Sequence, residues 1–243
     1  MNFIFRLNET VRSAWATRRG ATAHADQVPT GLCKEYPRMP RIQLPLPEPF
    51  SMPLHVAMSK RRSIERAQPG RPFTGEELGT LLGHSISADP ESVHRKYPSG
   101  GGNFPIETYL IGSIIDSTPP GVFHYHPKNH TLEHLWDLPA DLGMDDIIRA
   151  KDAPLSGALM IFTACWNRSG MKYGDFGYYL GMLEAGHMAQ NVLLAATALN
   201  IGTRPIGGFD DALVSRLLDL DAQSEQPLYA IVLAVPPHES KAL

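Results

Sequence analysis

Two apolar runs stand out in the pattern of this chain. Leu159 to Cys165 (LMIFTAC) and Leu228 to Val235 (LYAIVLAV) are almost continuously apolar. Runs of that length without alternation suit strands buried on both faces. Thr108 to Ile115 (TYLIGSII) reads as a third strand, and GVFHYH and HTLEHLW, flanking a PKN turn, read as a hairpin. Helical spacing appears elsewhere. Thr74 and Glu77 form a capping box ahead of Leu78, Leu81 and Leu82. Leu54 to Arg62 and residues 141 to 151 suit short helices, and Asp210 caps DALVSRLLDL. A much longer apolar helix is predicted from Phe176 to Asn200, with Gly202 as its stop. Together these predict a mixed sheet covered by helices, with one helix much longer than the rest. Residues 36 to 53 are dense in proline and should be extended on a surface. The expected organisation is a Pro-rich arm over residues 1–53 and a domain over 54–243.

Composition narrows the function. The 243 residues are 43% apolar and 19% charged, as in a globular protein with a substantial core. A net charge of −3 without a long basic run argues against nucleic acid. Cys33 and Cys165 are the only cysteines, too few for a disulfide scaffold or a Cys-rich zinc site, so both are read as free thiols. No apolar run approaches the roughly 20 residues of a membrane helix. A cytoplasmic location is expected.

Four polar features carry candidate chemistry. Arg61, Arg62 and Ser63 bring two guanidinium forks and a hydroxyl to one helix end, a good phosphate cradle. Pro98, Ser99, Gly100, Gly101, Gly102 and Asn103 form a small-residue loop that can approach a flat ring closely, without the lysine of a P-loop. Glu184, His187, Gln190 and Asn191 place a polar stripe on the long helix. Lys172 and Tyr173 precede that helix. A lysine can serve as a general base where burial or nearby cations favour its neutral form. His124, His126, His130 and His134 are read as a hydrated hairpin face, and no metal is expected.

In order, the chain reads RRS, YPSGGGNFPIETYL, GVFHYHPKNHTLEHL, MKYGDFGYYLGMLEAGHMAQN and NIGTRPIGGFDD. Over about residues 50 to 236 this resembles the nitroreductase-fold flavoproteins, and within them the SagB-type azoline dehydrogenases. The resemblance implies an α+β fold, a mixed sheet flanked by helices with a long central helix, and an intertwined homodimer with FMN at its interface. It also implies oxidation of a thiazoline or oxazoline in a peptide natural product. Arg61, Arg62 and Ser63 match the segment holding the FMN phosphate and ribityl chain. Pro98, Ser99, Gly100 and Asn103 match a loop reaching the flavin from the partner subunit. Gln190 and Asn191 match polar positions near the cofactor, and Pro205, Ile206, Gly207 and Gly208 match the turn at the flavin N5 edge. Lys172 and Tyr173 match the pair credited with proton removal. Lys241 matches a C-terminal phosphate contact. The implied partners are a peptide-bound or carrier-protein-bound azoline and a cyclodehydratase or peptide synthetase. Glu65, Phe176 and Tyr179 stand where the family usually has arginines. An NAD(P)H-dependent nitro- or quinone reductase and a non-catalytic flavin-fold scaffold stay open as alternatives.

Overall fold

The structure, a computed structural model, describes residues 33–65, 71–92, 94–116, 118–149 and 158–236. Residues 1–32, Lys241 and the C-terminal end of the expected 141–151 helix lie outside the described residues. Seven strands form one sheet in the order β1-β4-β3-β2-β5-β7-β6. They are β1 (Arg41–Gln43), β2 (Ile106–Gly112), β3 (Gly121–His126), β4 (Thr131–Asp137), β5 (Ala158–Cys165), β6 (Gly202–Ile206) and β7 (Glu225–Ala234). The helices are α1 (Leu54–Lys60), α2 (Gly75–Ser85), α3 (Met144–Ile147), α4 (Trp166–Tyr173), α5 (Phe176–Ala198) and α6 (Asp211–Leu217). Among the described residues every ladder is antiparallel, where a mixed sheet was expected, and parallel pairing is confined to the isolated bridges Ser63–Thr203 and Phe73–Ile115.

The two apolar runs occupy β5 and β7, which pair along their length in the middle of the sheet. Alternation along β5 feeds both faces. Met160, Phe162 and Ala164 join the core under α2 and α5, with Leu81, Leu82, Met188 and Val192. Leu159 and Ile161 join a second core under α6, with Phe209, Val214 and Leu218. Thr74 accepts from the Glu77 N–H while the Glu77 carboxylate accepts from the Thr74 N–H, so the capping box forms. Asp210 caps α6 by accepting from the Leu213 N–H.

Three local expectations change. The proline-dense segment adds the edge strand β1, paired with β4, before it runs over α2. Within the described part of residues 141–151 only Met144–Ile147 is helical. The hairpin histidines are not a hydrated face. His124 is 0% and His126 2% exposed, because residues 33–36 cover that side of the sheet, where Glu107 and Glu133 of the sheet meet His124 and Glu35 meets His126. Among the described residues no group of three His, Cys, Asp or Glu side chains could hold a metal ion.

Glycines let the proline segment lie close to α2. An added Cβ at Gly79 would stand 2.5 Å from the Pro45 carbonyl oxygen, and one at Gly83 would stand 2.9 Å from the Pro47 ring. Alanine in a helix gains up to about 1 kcal/mol over glycine. Overpacking against backbone costs about 1–3 kcal/mol, so the clash should win. Gly79→Ala is therefore expected to lower stability to urea by about 1–2 kcal/mol; equal or higher stability would show that the segment is not seated there.

Candidate functional site

The Lys172–Tyr173 pair occupies the last turn of α4. The helix is tied down at its start, where the Trp166 N–H donates to the Ser224 carbonyl at 3.0 Å. It ends at Gly174, whose φ of 55° suits glycine, and α5 follows at Phe176. Sequence periodicity did not reveal α4, because its eight residues (WNRSGMKY) are mostly polar and too few to show a repeat.

The glycine loop sits between this pair and α5. Gly100–Gly102 form a 3-10 turn, with Gly101 and Gly102 at φ near 66°. An added Cβ at Gly101 would run into Tyr173 Oη and come within 2.9 Å of Lys172 Nζ. At Gly100 it would meet Leu180 of α5 at 2.8 Å. Two features separated by about seventy residues of sequence are thus in contact, and only glycine fits between them. The loop closes through the Phe104 N–H, which donates to Ser99 Oγ at 2.9 Å. Phe104 itself adopts a left-handed φ of 45°, a strained conformation for a bulky residue. The Arg95 guanidinium lies 4.4 Å from its ring centroid, and Tyr97 packs edge-on at 5.9 Å.

The polar stripe of α5 divides. His187 and Gln190 are exposed, alongside Tyr178, Met182 and Leu183. Asn191 points inward, and its amide donates to the carbonyls of Ser85 (3.2 Å) and Lys96 (2.9 Å), tying α2 to the segment that leads into Pro98. Glu184 is 2% exposed, and neither carboxyl oxygen has a hydrogen-bond partner of good geometry. Burial pushes its carboxyl up to about 7, against the pull of the Ser99 hydroxyl beside it and of Arg95 and Arg168. Asn103, 1% exposed, likewise has an unpartnered amide oxygen and nitrogen. Four orphaned polar atoms thus surround the glycine loop, each costing about 1–3 kcal/mol. They suit a loop that completes its hydrogen bonds with water or a ligand.

The remaining candidates gather at the other edge of the sheet. The Ile64 N–H donates to the Thr203 carbonyl, and Ser63 bridges Thr203, so the Arg61–Ser63 segment runs beside β6. That strand carries Pro205 and Ile206 and leads to Gly207 and Gly208. Both glycines are exposed, and an added Cβ on either meets no atom within 4 Å. A cavity of about 460 Å³ opens here, lined by Lys60, Arg62, Asn200 and Gly202 among others. Lys60 was missed in the sequence, although it directly precedes the Arg-Arg-Ser segment. Arg62 Nη1 donates to the Ser59 and Arg61 carbonyls at 2.8 Å. These residues lie along β6, whereas the glycine loop feeds β2, three strands away. At a strand spacing of about 4.8 Å, that is roughly 14 Å across the sheet. Within one chain these two groups of candidate residues therefore stand apart.

A third cluster lies under residues 33–36. His124 sits between Glu107 Oε2 (3.1 Å from Nε2) and Glu133 Oε2 (2.9 Å from Nδ1). A neutral imidazole can donate from one nitrogen only, so this arrangement calls for imidazolium. Burial opposes that charge, but the two carboxylates outweigh it and raise the His124 pKa. Burial would likewise raise Glu107, yet His124 and Arg168 hold it at about 2.

The Glu184 carboxyl links to stability with a definite sign. Its folded value of about 7 lies above the ordinary 4.5, so between these pH values the folded state holds a proton that the unfolded state has lost. Stability from this group therefore falls as pH rises through that window, by on the order of 3 kcal/mol. Glu184→Gln should flatten this fall and be more stable than the parent at pH 8, with no such gain at pH 4. Urea titrations at both pH values check it; an equal gain at both would remove the buried carboxyl as the cause.

Comparison with known proteins agrees with this architecture. The chain is 29% identical over 190 residues to the nitroreductase-type protein MJ1384 of Methanocaldococcus jannaschii, covering 77% of this chain and 93% of that one. It is 28% identical over 196 residues to the Microcin B17-processing protein McbC of Escherichia coli, covering 74% and 71%. Among solved structures, the E. coli microcin synthetase McbBCD complex with truncated pro-MccB17 bound matches with a TM-score of 0.62 at 25% identity, covering 77% of this chain and 76% of that one. Residues 58–235 match the model of the nitroreductase family, whose members bind flavin, and the chain belongs to that family.

Proposed function

We propose that this protein is an FMN-dependent dehydrogenase that oxidises a thiazoline or oxazoline ring of a peptide-derived substrate to the azole. The observation that carries this reading is the contact of Lys172 and Tyr173 with the glycine loop, which places a base and a hydroxyl against the segment expected to meet the flavin. The likeness to McbC, a microcin-processing protein, supports the substrate class. The residues fit a flavin. Lys60 and Arg62 at the 460 Å³ cavity offer cations for a phosphate. The open backbone of Gly207 and Gly208 suits a ring edge that needs N–H donors. The orphaned Asn103 amide suits a group with both donors and acceptors. Bound flavin supplies the two-electron acceptor for the hydride that leaves the ring. Lys172 accepts the proton from the adjacent ring carbon, Tyr173 holds the ring against Lys172, and the glycine loop excludes water from the pair. The partner in this reading is a cyclodehydratase or peptide synthetase that supplies the azoline, and the compartment is the cytoplasm. No helix among the described residues is long and apolar enough to cross a membrane.

The separation of the two half-sites favours a homodimer, in which the glycine loop of one copy faces β6 of the other. Tyr178, Met182 and Leu183, 50%, 46% and 45% exposed on α5, give it an apolar seam. A nitro- or quinone-reducing activity is the second reading, favoured by the match to MJ1384 over nearly its full length.

Two outcomes are expected. Lys172→Ala should lose azoline oxidation by about 100-fold or more while keeping bound flavin, and Tyr173→Phe by about tenfold or more. Full activity in both variants would remove the pair from the mechanism, and rapid bleaching of the flavin by NADPH would favour the second reading. Met182→Glu combined with Leu183→Glu should yield monomers that bind flavin more than tenfold more weakly, because each half-site then stands alone. A dimer of unchanged flavin affinity by light scattering and equilibrium dialysis would sink the shared-site arrangement.

A further inference from the structure

Arg168 occupies an unusual place. It lies in α4, one turn before Lys172, on the same flank of the helix. Its side chain is 13% exposed, and its guanidinium spans two different segments. Nη2 meets Glu107 Oε1 at 2.6 Å, and Nη1 donates to the Phe104 carbonyl at 2.9 Å. The first contact ties α4 to strand β2. The second ties it to the residue that closes the glycine loop, in the strained left-handed conformation described above. Glu107 is fixed in turn. Its Oε1 also accepts from the Lys34 N–H at 2.8 Å, and its Oε2 faces His124 at 3.1 Å. Lys34 is held from its other end, where Nζ donates to Glu225 (2.7 Å) and Tyr109 (2.9 Å).

A helix of eight residues is too short to be stable alone and depends on its tertiary contacts. Its first turn is held by the Trp166 N–H and by Trp166 and Ser169, which pack on Gly181 and Gly177 of α5, and this leaves the last turn, with Lys172 and Tyr173, dependent on further side-chain anchors. Only arginine presents two donor nitrogens in a rigid fork that can serve a carboxylate and a carbonyl at once; lysine offers a point charge on a flexible stem.

We infer that Arg168 is a positioning residue for the Lys172–Tyr173 pair, a fork that locks the helix bearing the pair to the glycine loop through Phe104 and to the sheet through Glu107, with residue 34 latching Glu107 from outside. This rests on the reading of Lys172 and Tyr173 as the proton-removing pair. It also gives the segment around Lys34, far away in sequence, a part in the site.

The test uses the flavin-loaded protein and the variants Arg168→Ala and Arg168→Lys. Hydrogen–deuterium exchange should rise in α4 and in residues 99–104 of both variants, while β5, β7 and the C-terminal half of α5 keep their protection. On an azoline substrate kcat should fall about tenfold to a hundredfold with KM within about threefold, the mark of a misplaced group and not of lost binding. Added guanidinium should restore part of kcat in Arg168→Ala and none in Arg168→Lys, whose ammonium blocks the place. Unchanged exchange in α4 would overturn the inference. So would loosening spread through β5 and β7, which would mark a general structural role. If the parent protein oxidises no azoline, the substrate reading fails, while the exchange comparison still decides whether Arg168 places the pair.

Discussion

The structure depends on how one buried carboxylate is satisfied. Glu107 is 1% exposed in the middle of the sheet, where an unpaired charge would be costly. Three partners surround it: Arg168 from α4, His124 from β3 and the Lys34 N–H from the covering segment. His124 carries the network on to Glu133, which takes a further N–H from Tyr36 and stands 3.1 Å from Arg41. Buried ion networks of this kind add little net stability, but removing one member leaves the others uncompensated. Their effect is to fix relative positions. Here they set the covering segment, four strands and α4 against one another.

That constraint explains which parts of the fold were legible in the sequence. Elements stabilised by their own periodicity were readable: the apolar runs of β5 and β7, the hairpin of β3 and β4, the capping box at Thr74 and the long helix α5. Elements held by distant partners were not. β1 spans three residues inside a proline-rich stretch and exists because β4 offers an edge. The helix α4 is short and mostly polar and is tied to Ser224, Glu107 and Phe104, the last two about sixty residues earlier. The hairpin histidines looked solvated because the carboxylates that meet them come from strands β2 and β4 and from residue 35.

The candidate site divides in the same way. The Arg-Arg-Ser segment, the glycine loop and the Pro205–Gly208 turn were visible as local motifs, since each needs particular residue types at adjacent positions. The polar stripe divides between two flanks, because helical spacing alone does not say which flank is buried. Glu184 and Asn191 face inward with different fates, one orphaned and one paired twice, while His187 and Gln190 face out. Arg168, Glu107 and Lys34 carried no signal at all, for their meaning lies wholly in long-range pairing.

The glycine loop is where these constraints meet. Leu180 closes on Gly100 from one side, Tyr173 and Lys172 close on Gly101 from the other, and Phe104 holds a strained backbone at the exit. Strain of that kind, about 1–3 kcal/mol, persists only where neighbours over-determine the conformation. Ser99 Oγ, the Arg168 fork and the Arg95 stack on the Phe104 ring are those neighbours. A loop pressed on both sides yet lined by the unpartnered polar atoms of Asn103 and Glu184 is rigid in backbone and unsatisfied in hydrogen bonding. That combination is costly for a purely structural turn. It is what a preformed site requires, since a rigid backbone avoids an ordering cost when the missing partners arrive.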